Sequence, residues 1–167
     1  MSESHLAYLS LGSNIQPEDN LVRAVALLSE HGEVLKISSV WESRSVGAEG
    51  PNYLNACVLF RSSFNRAELK EQVIRSIEAQ LGRGRNEDKY VPRTIDIDVI
   101  LFDDKPVNEY VWSLAYVVVP LAEIYPEYQI MTTSERVAEN ATRLRNEVWM
   151  ETRRDILSQF RESNFKS

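Results

Sequence analysis

Asp96 and Asp98 stand two residues apart inside the apolar stretch RTIDIDVILFDD (93–104), with Arg93 just ahead of them. On a strand, such residues share a face and lie roughly 7 Å apart at ~3.3 Å rise per residue. Ile95, Ile97 and Val99 then point the other way, toward a core. Two carboxylates so placed repel each other unless cations lie between them. Hard oxygen donors beside open positions suit magnesium, which keeps waters and takes further oxygens from a substrate phosphate. A solvated strand face with a fortuitous acidic pair is the competing account. Arg83, Arg85, Lys89 and Arg93 fall in one loop that runs up to the carboxylates. Guanidinium groups grip phosphate oxygens through paired donors, and a lysine adds a mobile point charge. Glu87 and Asp88 partly neutralise this loop, so simple solubilisation competes here too. Cations and carboxylates gathered in one short segment favour a metal–nucleotide site.

A second constellation lies in GPNYLNA (50–56). Tyr53 offers a flat ring, and the Asn55 amide both donates and accepts toward a heteroaromatic edge. Tyr116, in LAYVVVP, is a candidate for the opposite ring face. Base–aromatic stacking is worth roughly 1–3 kcal/mol per face. Each tyrosine alone also reads as core filling, and spacing does not say whether the two meet.

The elements that must position these groups follow from periodicity. AYLSLGSN (7–14) alternates apolar with small residues and stops at a turn. Pro17, Glu18 and Asp19 suit a helix's first turn, and Leu21, Val25 and Leu28 recur at helical spacing until Gly32. EVLKISSVWES (33–43) and YLNACVLFRSS (53–63) read as strands. Asn65 to Glu68 has capping-box spacing, ahead of an apolar stripe at Leu69, Val73, Ile77 and Leu81 that ends at Gly82. The carboxylate strand follows. YVVVPLAEIYPEY predicts one more strand stopped at Pro120, with one helical turn after it.

The order is β-α-β-β-α-β, a split arrangement that favours an antiparallel sheet with helices on one face. From Thr132 onward, Val137, Ala141, Leu144 and Val148 carry a helical stripe behind a Thr132-x-x-Glu135 cap. The chain therefore divides into a domain over 1–131 and a helical extension over 132–167. That extension is expected to cover one sheet edge and is long enough to pair with a second subunit.

At 167 residues, 43% apolar and 26% charged, the chain has the composition of a globular domain. A net charge of -6 argues against a general nucleic-acid coat. The lone Cys57 fits a reducing compartment, no signal peptide is apparent, and no apolar run approaches a membrane span. A cytoplasmic location is expected.

At YLSLGSN, SSVWES, GPNYLNACV, IEAQLGRGR, YVPRTIDIDVILFDD and VVVPLAEIYPE the chain resembles the 6-hydroxymethyl-7,8-dihydropterin pyrophosphokinase family over about three quarters of its length. The resemblance implies a ferredoxin-like α+β sandwich. It implies transfer of pyrophosphate from ATP to the pterin's hydroxymethyl group, releasing AMP, in folate biosynthesis. It assigns Asp96 and Asp98 to two magnesium ions, and counts them with Arg83 and Arg93 as catalytic. The ATP set becomes Arg75, Glu78, Arg83, Arg85, Lys89, Tyr90, Arg93 and Ile97. The pterin set becomes Ser43, Val46, Tyr53, Asn55, Asp96 and Tyr116.

The pattern departs from the family in three places along the matched stretch, and its charged C-terminal helix is longer than the family's. The family carries a longer segment with a His-Pro motif and an arginine between LFDD and VVVP, where this chain has KPVNEYVWSLAY. Val91 replaces a small residue ahead of Pro92, and Arg44-Ser45 replaces a proline-rich turn in the pterin-reading loop. The short segment trims the expected ATP clamp. A pterin-binding paralogue with altered or lost transfer is therefore the alternative reading.

Overall fold

The computed structural model describes residues 3–45, 50–82, 94–153 and 155–160. β1 (His5–Ser13) leads into α1 (Pro17–Ser29), with Pro17 in the first turn, where its missing N–H costs nothing. β2 (Glu33–Ile37) and β3 (Trp41–Ser43) follow, then β4 (Tyr53–Ser62). One continuous helical rod comes next: α2 (Arg66–Glu68), a π-helical stretch (Leu69–Ile74) and α3 (Arg75–Gln80). The capping box forms as the spacing predicts, Asn65 and Glu68 each accepting from the other's backbone N–H at 2.9 Å. Gly82, at φ 101°, ends the rod in a conformation only glycine adopts freely. β5 (Asp96–Phe102) and the short β6 (Lys105–Pro106) form a hairpin.

Among the described residues all strand pairings are antiparallel, and the order is β6-β5-β1-β4-β3-β7, where β7 is Met150–Thr152 and β2 also pairs with β4. The central positions reproduce the ferredoxin-like order, in which the last strand of the split βαββαβ unit sits beside the first. Alternation divides the sheet's side chains between two cores. Leu9, Leu11, Ala56, Val58, Phe60 and Ile97 face α1 and the π/α3 rod, where Leu21, Val25, Leu69, Val73 and Ile77 are fully buried. Tyr8, Cys57, Leu59 and Leu101 face the other way.

Four expectations need correction. Residues 33–43 do not form one strand. Ser38 breaks it, because its Oγ accepts from the Cys57 amide in place of a regular ladder bond, and the chain restarts as β3. The YVVVP run is not a strand stopped at Pro120. It belongs to α4 (Ala115–Ile124), which follows a 3-10 turn (Glu109–Ser113) and contains Pro120. Burying Val117, Val118 and Leu121 against the second face of the sheet outweighs the low helix propensity of the valines and the proline. Helices therefore cover both faces rather than one. Finally, the terminal helix is shorter than its stripe suggests. α5 (Val137–Arg145) packs on α4, while Val148 is exposed beyond it. The sheet edge is covered by β7 (Met150–Thr152), a strand not foreseen. No helix among the described residues is long and apolar enough to cross a membrane.

Candidate active site

Strand register builds the site. Gly12 lies opposite Asn55 on one side and opposite Asp96 on the other, while Ser10 lies opposite Cys57 and Asp98. Trp41 continues the first row beyond Asn55, and Ser43 pairs with Tyr53. Asn55 and Asp96 thus stand two strand spacings apart, roughly 10 Å. Among the described residues, Gly12 and Ser10 form the floor between them. A Cβ on Gly12 would stand 3.3 Å from the Asn55 Oδ1, so the bare glycine keeps the floor low where a flat ring would lie.

Asn55 is buried and its amide is oriented by its neighbours. Nδ2 donates to the Trp41 carbonyl at 3.3 Å and to the Ser43 Oγ at 2.7 Å. With both N–H groups engaged, Asn55 presents Oδ1, an acceptor, to the cavity. Ser43 therefore acts on this wall through its side chain, by fixing that amide. Tyr116 enters from the first turn of α4 and remains 38% exposed. Burial raises its phenol above the ordinary range, and the Asp98 and Asp96 carboxylates, then Tyr110 and Tyr53, add to the rise. The two tyrosines left apart by spacing line one cavity beside the carboxylates. Pro120 supplies no amide to the Tyr116 carbonyl, so the turn bearing Tyr116 lacks one of its usual helical ties.

Two cavities meet here. The smaller, about 210 Å³, is lined by Ser10, Gly12, Ser43, Arg44, Tyr53, Asn55, Asp96, Asp98 and Tyr116. The larger, about 550 Å³, runs along the π/α3 rod past Arg66, Lys70, Arg75 and Glu78, and along β5 from Asp96 to Ile100. Its remaining wall is the short connection, through Val107, Asn108, Tyr110, Val111 and Leu114, and then Tyr116 and Val117. Asp96, Asp98 and Tyr116 belong to both. Glu78 accepts from the Ile97 amide at 3.2 Å, tying the rod to the carboxylate strand. Arg75 pairs with Glu71 at 3.0 Å on the same wall.

Of the expected site residues, Ser43, Tyr53, Asn55, Asp96, Asp98 and Tyr116 converge on the small cavity, and Arg75, Glu78 and Ile97 on the large one. Val46, Arg83, Arg85, Lys89, Tyr90 and Arg93 lie outside the described residues. Sequence reasoning missed Ser10 and Gly12, treated as strand filler and turn signal, and Arg66, Lys70, Asn108 and Tyr110. The signal for Gly12 was available: a glycine within an alternating strand marks a close approach. Among the described residues no cluster of three or more His, Cys, Asp or Glu could hold a metal by itself. Two aspartates beside a large cavity suit a hard cation that completes its shell with water and phosphate oxygens.

The fold and the site define a ferredoxin-like α+β domain with a bipartite pocket joined at a carboxylate pair. The chain belongs to the 7,8-dihydro-6-hydroxymethylpterin-pyrophosphokinase (HPPK) family, which matches residues 8–126. It is 35% identical over 153 residues to the 2-amino-4-hydroxy-6-hydroxymethyldihydropteridine pyrophosphokinase of Bacillus subtilis, covering 84% of this chain and 90% of that one. The enzyme of the same name from Synechocystis sp. is 38% identical over 137 residues, covering 75% and 69%. Among solved structures, the Plasmodium falciparum HPPK-DHPS with pterin and p-hydroxybenzoate superposes with a TM-score of 0.68 at 12% identity, covering 99% of this chain. The chain spans 46% of that longer protein. At that identity the likeness concerns the fold alone.

Proposed function

We propose that the protein transfers pyrophosphate from ATP to the hydroxymethyl group of 6-hydroxymethyl-7,8-dihydropterin, releasing AMP, a step of folate biosynthesis. The observation that carries this reading is the meeting of two cavities of unequal size at Asp96, Asp98 and Tyr116. The small one suits a bicyclic ring and the large one a nucleoside triphosphate. The pterin lies over Gly12 and Ser10 between Tyr53 and Tyr116, with its donor edge toward the Asn55 Oδ1. Its hydroxymethyl group then points along the floor to the carboxylates. The hydroxyl oxygen attacks the β-phosphorus in line and releases its proton to water, the bond to the α–β bridging oxygen breaks, and AMP leaves with that oxygen. Asp96 and Asp98 are the residues that would hold two magnesium ions, which when bound neutralise and polarise the phosphoryl oxygens. Arg75 and Glu78 flank the nucleotide, and the family resemblance adds Arg83, Arg85, Lys89, Tyr90 and Arg93 to the ATP-binding set. Positioning is the chief contribution of the protein.

The short connection argues less for a lost nucleotide site than its missing His-Pro motif suggests. It still walls a cavity of about 550 Å³. The curated relatives also carry the pyrophosphokinase name. The deciding experiment is AMP release from magnesium ATP with the dihydropterin alcohol. Acceptor-dependent AMP is expected. Tight pterin binding without AMP would return the reading to a non-catalytic paralogue.

A further inference from the structure

Residues 145–153 lie beyond the family match, which ends at residue 126, yet they hold the wall of the small cavity. β7 sets Thr152 opposite Trp41 and Met150 opposite Ser43, along the full length of β3. The Arg145 guanidinium lies over the Trp41 ring, 4.6 Å from its centroid, and Arg153 donates to Glu42 at 3.2 Å. These contacts fix the strand whose carbonyl and hydroxyl orient Asn55. One further contact reaches the cavity itself. The Arg44 guanidinium sits 5.3 Å from the Trp149 ring centroid, and Arg44 is the one cation among the described residues lining that cavity.

The donor count gives Arg44 a task. Among the described side chains lining the cavity, Asn55 offers only its acceptor and Asp96 and Asp98 accept, which leaves hydroxyls as the other side-chain donors beside Arg44. A 2-amino-4-hydroxy pteridine carries oxygen at its 4-position, written as an oxo group in the common tautomer, and that edge needs a donor. A guanidinium stacked on an indole uses its flat face and keeps its N–H edge for a ligand.

We propose that Arg44 determines specificity for the oxygen-bearing edge of the acceptor ring, and that Trp149 is a positioning residue acting through Arg44. The proposal rests on the pterin reading above. It gives the C-terminal segment a role in acceptor selection rather than in nucleotide binding.

The test is calorimetric titration of the full chain, with magnesium and a non-hydrolysable ATP analogue present. The two ligands are 6-hydroxymethylpterin and its 4-amino counterpart. Wild type is expected to prefer the oxo ring. Arg44→Ala should weaken the oxo ring about tenfold, the scale of one charge-assisted hydrogen bond. The 4-amino ring should change by less than about twofold, since it makes no such bond. Trp149→Ala should weaken the oxo ring about threefold, as for an exposed cation–π contact, with Trp149→Phe restoring most of it. Affinity for the ATP analogue should stay unchanged throughout. Equal losses for both rings, or none, with wild-type binding intact, would overturn this proposal alone. Wild type that takes the nucleotide but neither ring would overturn the parent reading, and this one with it. Arg44 is exposed, so its truncation keeps the test open even where Trp149→Ala unfolds β7.

Discussion

At the scale of single residues, the site gathers groups whose types the proposed transfer requires. Asp96 and Asp98 share one strand face beside Tyr116, whose phenol they help keep protonated. Asp98→Asn keeps the shape and removes one of two like charges. AMP release should fall by about 10²–10³-fold, the usual scale for losing a group that organises transition-state charge. The urea midpoint should change little, because asparagine keeps the shape of the side chain it replaces. A lower midpoint with near-normal turnover would reverse the assignment. Gly12 argues by space instead. Its absent side chain lies 3.3 Å from the Asn55 Oδ1, so Gly12→Val must push that amide or fill the floor. The KM for the pterin should rise about tenfold or more, as for misplacement of a reacting group, while the KM for ATP stays within about twofold. Parallel shifts in both would mean that the floor belongs to the nucleotide.

At the scale of elements, the parts readable in advance were those where local chemistry and tertiary demand agree. The apolar stripe after Asn65 is buried as its spacing predicts, and the carboxylate pair is on one face because β5 alternates. The run at 117–120 was misread because three valines and a proline describe a strand end locally, whereas burial on the sheet makes a helix of them. β7 was invisible since its three residues carry no period, and only the open edge of β3 recruits them. Tyr53 and Tyr116 line one cavity, but that proximity depends on where α4 lands, which no spacing encodes. Gly32 shows the same lesson in the opposite sense. It was read as a helix stop, yet α1 already ends at Ser29, and a Cβ on Gly32 would lie 2.5 Å from the Arg61 carbonyl and 2.6 Å from the Phe60 ring. It is a packing glycine between α1 and β4. Gly32→Ala should therefore cost about 1–3 kcal/mol of stability, as overpacking does, measured by urea unfolding. The KM values should not move, since Gly32 lines neither cavity.

At the scale of the whole molecule, two cores on opposite faces of one sheet divide the work. The first is aliphatic and anchors the rod that walls the large cavity. The second mixes aliphatic side chains with Tyr8, Trp41 and Trp112 and carries α4, hence Tyr116. In that second core Tyr8 stacks on Tyr125 at 4.9 Å, and the Tyr125 hydroxyl donates to Asp104 at 3.0 Å. Burial, then that hydrogen bond and the Asp104 charge, push the Tyr125 phenol up to about 12. Burial, followed by its neighbours, pushes Tyr8 up as well. The unfolded chain titrates tyrosine near its ordinary value of about 10. Between those values the unfolded state sheds protons that the folded state retains, so alkali favours unfolding. The contribution is fully present below about pH 10 and is lost as pH rises through about 12, on the Tyr125 value. The thermal midpoint should thus be level up to about pH 9 and fall steeply above about 10. Tyr125→Phe lowers the midpoint at neutral pH by removing the bond to Asp104, yet flattens the alkaline slope, so the two curves converge. Parallel curves would show that the phenols titrate alike in both states. Because this core seats α4 against the sheet, the same alkaline range should loosen Tyr116 and raise the pterin's KM ahead of global unfolding, a sequence that near-ultraviolet circular dichroism and activity would resolve together.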